Sequence, residues 1–273
     1  MGLRINQHTM AVSAHRNLSI SDSMLSKSME RLSSGFRINR AADGAAGLAK
    51  SETLRADIRG INQAVRNAQD GISFVQTAEG ALDEVHAILQ RINELAVSAA
   101  NTATSDGKAE DAEAKELLKQ IDSIGTSTKF AGISVFSSAS VTFQVGASSA
   151  DTIAVTTQGL SSAAMSDGAT SADLSGIDLT TGASAAIQNV RDAVAIINNL
   201  RASLGASQNR LEHTITNLNV TSENLQASES RIRDLDIAAE MVSFTRHQIM
   251  VQAGTAMLAQ ANMVPQAVLQ LLR

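Results

Sequence analysis

The sequence predicts a mainly α fold: an elongated antiparallel helical bundle or coiled coil folded back on itself, with a small β-hairpin region in the middle of the chain. Three observations carry this reading. First, residues 185–225 place Ile187, Val190, Val194, Ile197, Leu204, Leu211, Ile215, Leu218 and Leu225 at steps of three and four, with only Arg201, Gln208 and Ser222 as polar members. Such a heptad seam requires a second long helix alongside it. Second, Leu54, Ile58, Ile61, Val65, Ala68, Ile72 and Val75, continued by Leu82, Val85, Leu89, Ile92, Ala96 and Ala99, supply a matching partner from the same chain. Third, aromatic residues are only 2%, Cys, Trp and Tyr are absent, and Pro265 is the single proline. That composition suits thin bundles of long, uninterrupted helices better than a thick globular core.

Taken in order, residues 3–36 form a first helix with Leu18, Leu25, Met29, Leu32 and Phe36 on one face, extended by Ala11 and Ala14. The stripe is narrow, so this helix is marginal alone. Gly35 ends it. Small residues surround Asp43 before the second helix, whose roughly 55 residues span about 80 Å. Gly60, Gly71 and Gly80 interrupt it at a cost of ~1 kcal/mol each, either tolerated or admitting a close neighbour. The segment 103–109 breaks the pattern, and 110–124 forms a shorter helix through Ala114, Leu117, Leu118, Ile121 and Ile124.

From Lys129 the period shortens. Ile133, Val135 and Phe136, then Val141, Phe143 and Val145, then Ile153 and Val155 read as short strands. The small, polar stretch 160–183 reads as a surface loop with at most short ordered pieces. Beyond the opening seam a second register begins: Ile232, Leu235, Ala239, Val242, Ile249, Ala253, Ala256 and Met263. The phase change around 229–236 marks a kink, loop or domain boundary. Its weak, alanine-rich face matches that of the first helix, so the two ends of the chain pair. The layout is therefore 1–40 with 229–273 as a terminal-helix domain, 41–129 with 184–228 as a rod, and 130–183 as its β/loop region.

Several function classes are disfavoured. A net charge of −5 without a Lys/Arg block argues against nucleic acid. No apolar run approaches the ~20 residues that cross a bilayer. Residues 1–21 lack the apolar core of a secretory signal. His8, His15, His86, His213 and His247 are scattered without metal-ligand spacing, and no nucleophile, GxGxxG or Walker pattern occurs. No enzyme activity, cofactor or metal is expected. Composition alone would place the chain in the cytosol.

Particular motifs revise that placement. They include Leu32-Ser33-Ser34-Gly35-Phe36-Arg37-Ile38-Asn39, Arg40-Ala41-Ala42-Asp43, Asn67-Ala68-Gln69-Asp70-Gly71-Ile72-Ser73 and Gln76-Thr77-Ala78-Glu79-Gly80-Ala81-Leu82. Near the other end stand Ser228-Glu229-Ser230-Arg231-Ile232-Arg233-Asp234, Ala261-Asn262-Met263-Val264-Pro265-Gln266 and Leu271-Leu272-Arg273. In this order they resemble bacterial flagellin, in a short form without large outer variable domains. Gly44, Lys50 and Met263 depart from the common family pattern without breaking the periodicity.

The resemblance implies a structural subunit of the helical flagellar filament. Its paired termini would form an inner tube and its long helices an outer one. It implies export in unfolded form through the flagellar type III apparatus, without a cleaved signal peptide, to an extracellular filament used for swimming. The implied partners are other copies of the chain, an export chaperone, and filament cap and junction proteins. The assembly interface would then comprise Leu18, Leu25, Met29, Leu32, Phe36, Ile249, Met263, Leu269, Leu271, Leu272 and Arg273. Gln90, Arg91, Glu94 and Leu95 match positions through which some flagellins contact the vertebrate innate receptor TLR5. Two other readings compete: a hook–filament junction protein of similar termini, and a coiled-coil signalling rod, which would leave the β region and terminal motifs unexplained.

Overall fold

A computed structural model describes residues 9–101, 107–137, 139–162, 165–166, 171–180 and 182–271, with side chains described for all of these except 165–166, 171 and 264–271. Among the described residues there are five α-helices: α1 (Thr9–Ser34), α2 (Ala45–Ala99), α3 (Lys108–Ser127), α4 (Ala183–Arg233) and α5 (Ile237–Leu271). Between α3 and α4 lie β1 (Lys129–Phe130), β2 (Ile133–Ser134), β3 (Ser140–Gln144), β4 (Thr152–Thr156), β5 (Met165–Ser166) and β6 (Ser171–Ala172), paired as three antiparallel hairpins. The chain divides into two compact units, one made of residues 1–56 and 224–273, the other of residues 57–223. The division falls inside α2, after residue 56, and not before the helix at residue 40. Glu52 and Arg55 are drawn into the first unit by ion pairs to Arg233 (2.7 Å) and Glu229 (3.8 Å).

In the 57–223 unit, α2 buries Ile61, Ala64, Ala68, Gly71, Val75, Ala78, Leu82, Val85, Leu89, Ile92, Ala96 and Ala99, an unbroken alternation of three and four. Ala64 and Gly71 thus take the seam positions expected of Val65 and Ile72, which lie half-buried beside it. A Cβ on Gly71 would meet Leu211 at 3.2 Å and the Phe143 ring at 3.3 Å, so the small residue admits both neighbours. Gly80 has nothing near it and is simply tolerated. On α4 Ala186, Val190, Ala193, Ile196, Ile197, Leu200 and Leu204 are buried, a face wider than one seam, and Leu211 is buried further along. Ala114, Leu118 and Ile121 of α3 join the same core, and a helix covered on two sides needs the wider face.

The polar entries in the α4 seam behave differently from one another. Arg201 reaches across to α2, 2.9 Å from Asp83 and 3.5 Å from Glu79. Gln208 bonds Glu212 one turn along its own helix, so it fixes no register. Ser222 meets Asn62 at 3.5 Å.

The hairpin β3–β4 pairs Val141 with Val155 and Phe143 with Ile153. Phe143 and Phe130 both pack on Phe74 of α2, with ring centroids 5.8 and 5.9 Å away. The expected strand at 133–136 shortens to Ile133–Ser134, closed by Ala131 (φ 49°) and Gly132 (φ 85°), while Val135 and Phe136 are buried beyond it.

The 160–183 stretch departs most from expectation. Leu160, Leu174, Ile177 and Leu179 are buried. Two aspartates of α3 tie the segment down: Asp122 accepts from the amide and hydroxyl of Ser162 at 2.7 and 2.8 Å, and Asp111 accepts from the Leu179 amide at 3.2 Å. Gly125 lies so close to the Leu160 carbonyl that a Cβ would collide with it. These aliphatics anchor irregular backbone and show no period, so the small residues around them disguise a core segment as a loop. Accordingly, Leu174→Ala should cost about 2–5 kcal/mol in urea unfolding, as for a core leucine, where an exposed loop position would lose under about 0.5.

Candidate assembly site

The unit of residues 1–56 and 224–273 is built on α1 and α5, which pack against each other. The α1 face turned inward is Ala11, Ala14, Leu18, Ser21, Leu25, Ser28 and Leu32, again at steps of three and four. Its deepest members are two serines, Ser21 and Ser28. The Ser21 hydroxyl donates to the Asn17 carbonyl at 3.0 Å, so burying it leaves no unmet donor. From α5 the inward face is Glu240, Phe244, His247, Val251, Gly254, Leu258 and Ala261.

Two contacts fix the antiparallel register. Arg31 pairs with Glu240 at 3.6 Å, and Leu18 crosses Gly254 so closely that a Cβ there would lie 3.1 Å from its Cδ1. That register sets Ser28 level with Phe244, Ser21 with Val251 and Ala14 with Leu258. Large groups thus meet small ones, as dense packing requires.

This corrects the α5 register read from the sequence. Ala239, Val242, Ile249, Ala253, Ala256 and Met263 face outward; Val242 is 62% exposed, Ile249 59% and Met263 58%. The helix carries two apolar faces, and periodicity alone does not choose between them. Gly254 decides it, because a residue without a Cβ lets the α1 backbone approach at Leu18. The outward face repeats every seven residues through Val242, Ile249, Ala256 and Met263, flanked by Met250 and Met257. A shallow groove of about 510 Å³ lies on it, lined by Met241, Val242, Thr245, Arg246, Ile249 and Met250.

The expected interface residues therefore separate. Leu18, Leu25 and Leu32 are half-buried in the intramolecular seam, whereas Met29, Ile249 and Met263 are exposed. Phe36 lies under the Arg233 guanidinium, 4.7 Å from its centroid. The side chains of Leu269 and Leu271, and Leu272 and Arg273 entirely, lie outside the described residues. Val242, expected in the seam, joins the outward face with Met250 and Met257, whose only signal in the sequence is their seven-residue spacing.

The motif residues near 32–52 and 228–236 form a joint at the end of this helix pair. Gly35, at φ +74°, closes α1 by donating to the Arg31 carbonyl at 2.8 Å. A short antiparallel bridge joins Phe36 to Asp234, with Arg37 N donating to Arg233 O at 2.7 Å and Leu235 N to Gly35 O at 3.1 Å. The Arg37 guanidinium caps the last turn of α4, donating to the carbonyls of Ile232 (2.7 Å) and Arg231 (3.3 Å) that the helix leaves unpaired. Glu30 accepts from Arg40 and Asn39, both at 2.8 Å.

Asp43 pairs with Lys27 at 2.7 Å and accepts from the Arg40 and Asn39 amides. Lys27 foremost, with the Arg40 amide next, lowers its pKa from 3.8 to about 2. Ile38 is buried against Gly47, where a Cβ would come within 2.7 Å of its Cδ1.

Elsewhere, Gln90, Arg91 and Glu94 are exposed on α2, and Arg91 pairs with Glu113 (2.9 Å) and Glu94 (3.2 Å). These carboxylates, Glu113 first, raise the Arg91 pKa. Leu95 is 6% exposed within the core, so it is not a free contact for a receptor. Among the described residues no group of three or more His, Cys, Asp or Glu is placed to hold a metal ion. No described helix is long and apolar enough to cross a membrane.

A helix pair that satisfies itself on one face and leaves a second, seven-residue apolar stripe outside defines a self-associating structural subunit. The comparisons give that class its family. The bacterial flagellin N-terminal helical region matches residues 5–141, and the bacterial flagellin C-terminal helical region matches residues 187–272. The chain is 50% identical to a flagellin of Halalkalibacterium halodurans, covering 98% of this chain and 99% of that one. It is 44% identical to the flagellar filament 33 kDa core protein of Treponema phagedenis, over 98% and 99%. The crystal structure of Bacillus cereus flagellin aligns with a TM-score of 0.47 at 28% identity, over 56% of this chain and 88% of that one.

The chain belongs to the bacterial flagellin family. It is a structural protein of the extracellular flagellar filament, not an enzyme.

Two outcomes test the site. Gly254→Leu should drive α1 and α5 apart, raising amide exchange across 9–34 and 237–263 while leaving 57–223 protected. Because the folded Asp43 pKa lies below the ordinary 3.8, its stabilisation is complete above pH 4 and lost as pH falls through about 2. The melting temperature should drop over that window in the wild type and drop less in Asp43→Asn.

Proposed function

We propose that filament growth proceeds through the outward stripe of α5 and the exposed flanks of α1, with the α1–α5 seam acting as the frame that presents them. The observation that carries this is the exposure of Val242, Ile249 and Met263 on a helix whose opposite face is already occupied. An apolar stripe of this kind is expected to be covered by a partner. Contacts between unlike surfaces that do not close into a ring give an open polymer. Leu18, Leu25 and Leu32 then serve assembly indirectly, by holding the frame, while Met29, Ile249 and Met263 serve it directly.

The family supports the remaining roles: export of the unfolded chain by the flagellar type III apparatus without signal cleavage, an export chaperone, and cap and junction proteins. A chain with no Cys has no disulfide to obstruct passage in unfolded form. Contact with TLR5 would fall to Gln90, Arg91 and Glu94. The relative named as a filament core protein favours the filament body over the hook–filament junction.

A double substitution, Val242→Asp with Ile249→Asp, tests the reading. Both residues are outward, so circular dichroism of the soluble chain should be unchanged, while sedimentable filaments should vanish. Normal filaments from this variant would overturn the proposal.

A further inference from the structure

Among the described residues, the buried apolar side chains of both units are Leu, Ile, Val, Ala and Phe, with no methionine among them. Every methionine whose side chain is described is instead exposed, between 46% and 74%, and all belong to the unit of residues 1–56 and 224–273. Met241, Met250, Met257 and Met263 stand on α5. Met10, Met24 and Met29 stand on α1. In the antiparallel heptad register, Met24 and Met250 flank the seam on one side, and Met29 and Met241 flank it on the other. With Cys, Trp and Tyr all absent, these thioethers are the most readily oxidised side chains of the chain.

We propose that the exposed methionines of α1 and α5 form a modification site for peroxide-class oxidants, which switches off the assembly faces of the unassembled subunit. This rests on the reading that those faces bury on polymerisation. A methionine sulfur attacks one oxygen of hydrogen peroxide, the O–O bond breaks, and water leaves with the second oxygen. The thioether is oxidised by two electrons to a sulfoxide and the peroxide is reduced. Each event replaces a flexible apolar end, suited to an adaptable interface, with a polar S=O group that must keep a hydrogen-bond partner. Because Met250 and Met257 are one heptad apart beside Ile249 and Met263, several oxidations fall on one continuous stripe. No buried residue among the described ones is a methionine, so the described core is untouched and the oxidised subunit stays folded. In the polymer the same sulfurs are covered, and attack falls on free subunits.

The test treats the full-length soluble chain with hydrogen peroxide, maps sulfoxides by mass spectrometry, and measures the concentration needed for assembly by sedimentation. Oxidised wild type should need about tenfold more protein, a loss of ~1.4 kcal/mol per contact set. Circular dichroism should hold, and methionine sulfoxide reductase should restore assembly. A variant with Met10, Met24, Met29, Met241, Met250, Met257 and Met263 all replaced by leucine should assemble with or without peroxide. Unchanged assembly of the oxidised wild type would overturn the proposal, as would equal inhibition of the leucine variant. Filaments from untreated Val242→Asp/Ile249→Asp chains would instead overturn the assembly reading on which it rests.

Discussion

The close approach of α1 and α5 is the constraint on which the terminal unit depends. Gly254 beneath Leu18, and Ser21 and Ser28 in the deepest α1 positions, let the two helices come near enough to close a narrow seam. Large side chains in the same seam would hold the helices further apart. The small seam also frees the larger aliphatics and methionines of α5 for the opposite face. One choice of residue size thus sets both what the pair keeps for itself and what it shows to others.

The joint makes that pair directional. Arg37 caps α4 while its amide holds the bridge to Arg233, and Arg233 in turn covers Phe36 and binds Glu52. Isolated surface ion pairs stabilise by at most ~1 kcal/mol. Here the charges also satisfy helix ends and turn amides, so removing one leaves backbone groups unmet as well. The 57–223 unit works otherwise: a broad apolar core carries it, with Arg201 between Asp83 and Glu79 as a polar cross-link from α4 to α2.

The long helices were legible because a seven-residue rhythm sustained over fifty residues has few competing explanations. Details of phase were less so. Where a third element widened the buried face, as at Ala186 and Ala193, the seam drifted from the predicted Ile187 and Val194. On α5 two apolar rhythms coexist, and the sequence pattern does not weigh a glycine's benefit in backbone approach against a valine's benefit in area. Leu174 and Leu179 escaped because anchoring of irregular chain has no period. Leu95 was assigned from family correspondence to a partner contact, but its position on the inner α2 rhythm places it in the core. The motif residues of the joint were recognisable as a pattern, yet their work as caps and ion pairs needed three-dimensional partners to be seen.

The bridge between Phe36 and Asp234 has a consequence in time. Arg37 finds its carbonyl partner 194 residues downstream, and α1 finds its seam only on α5, still later in the chain. At synthesis rates of roughly 5–20 residues per second, the first helix waits on the order of 10–40 s for its complement to emerge. A helix with so narrow an apolar face does not hold its shape over that interval unaided. The first helix is therefore made well before it can settle, and its packing surface exists only once α5 has followed it.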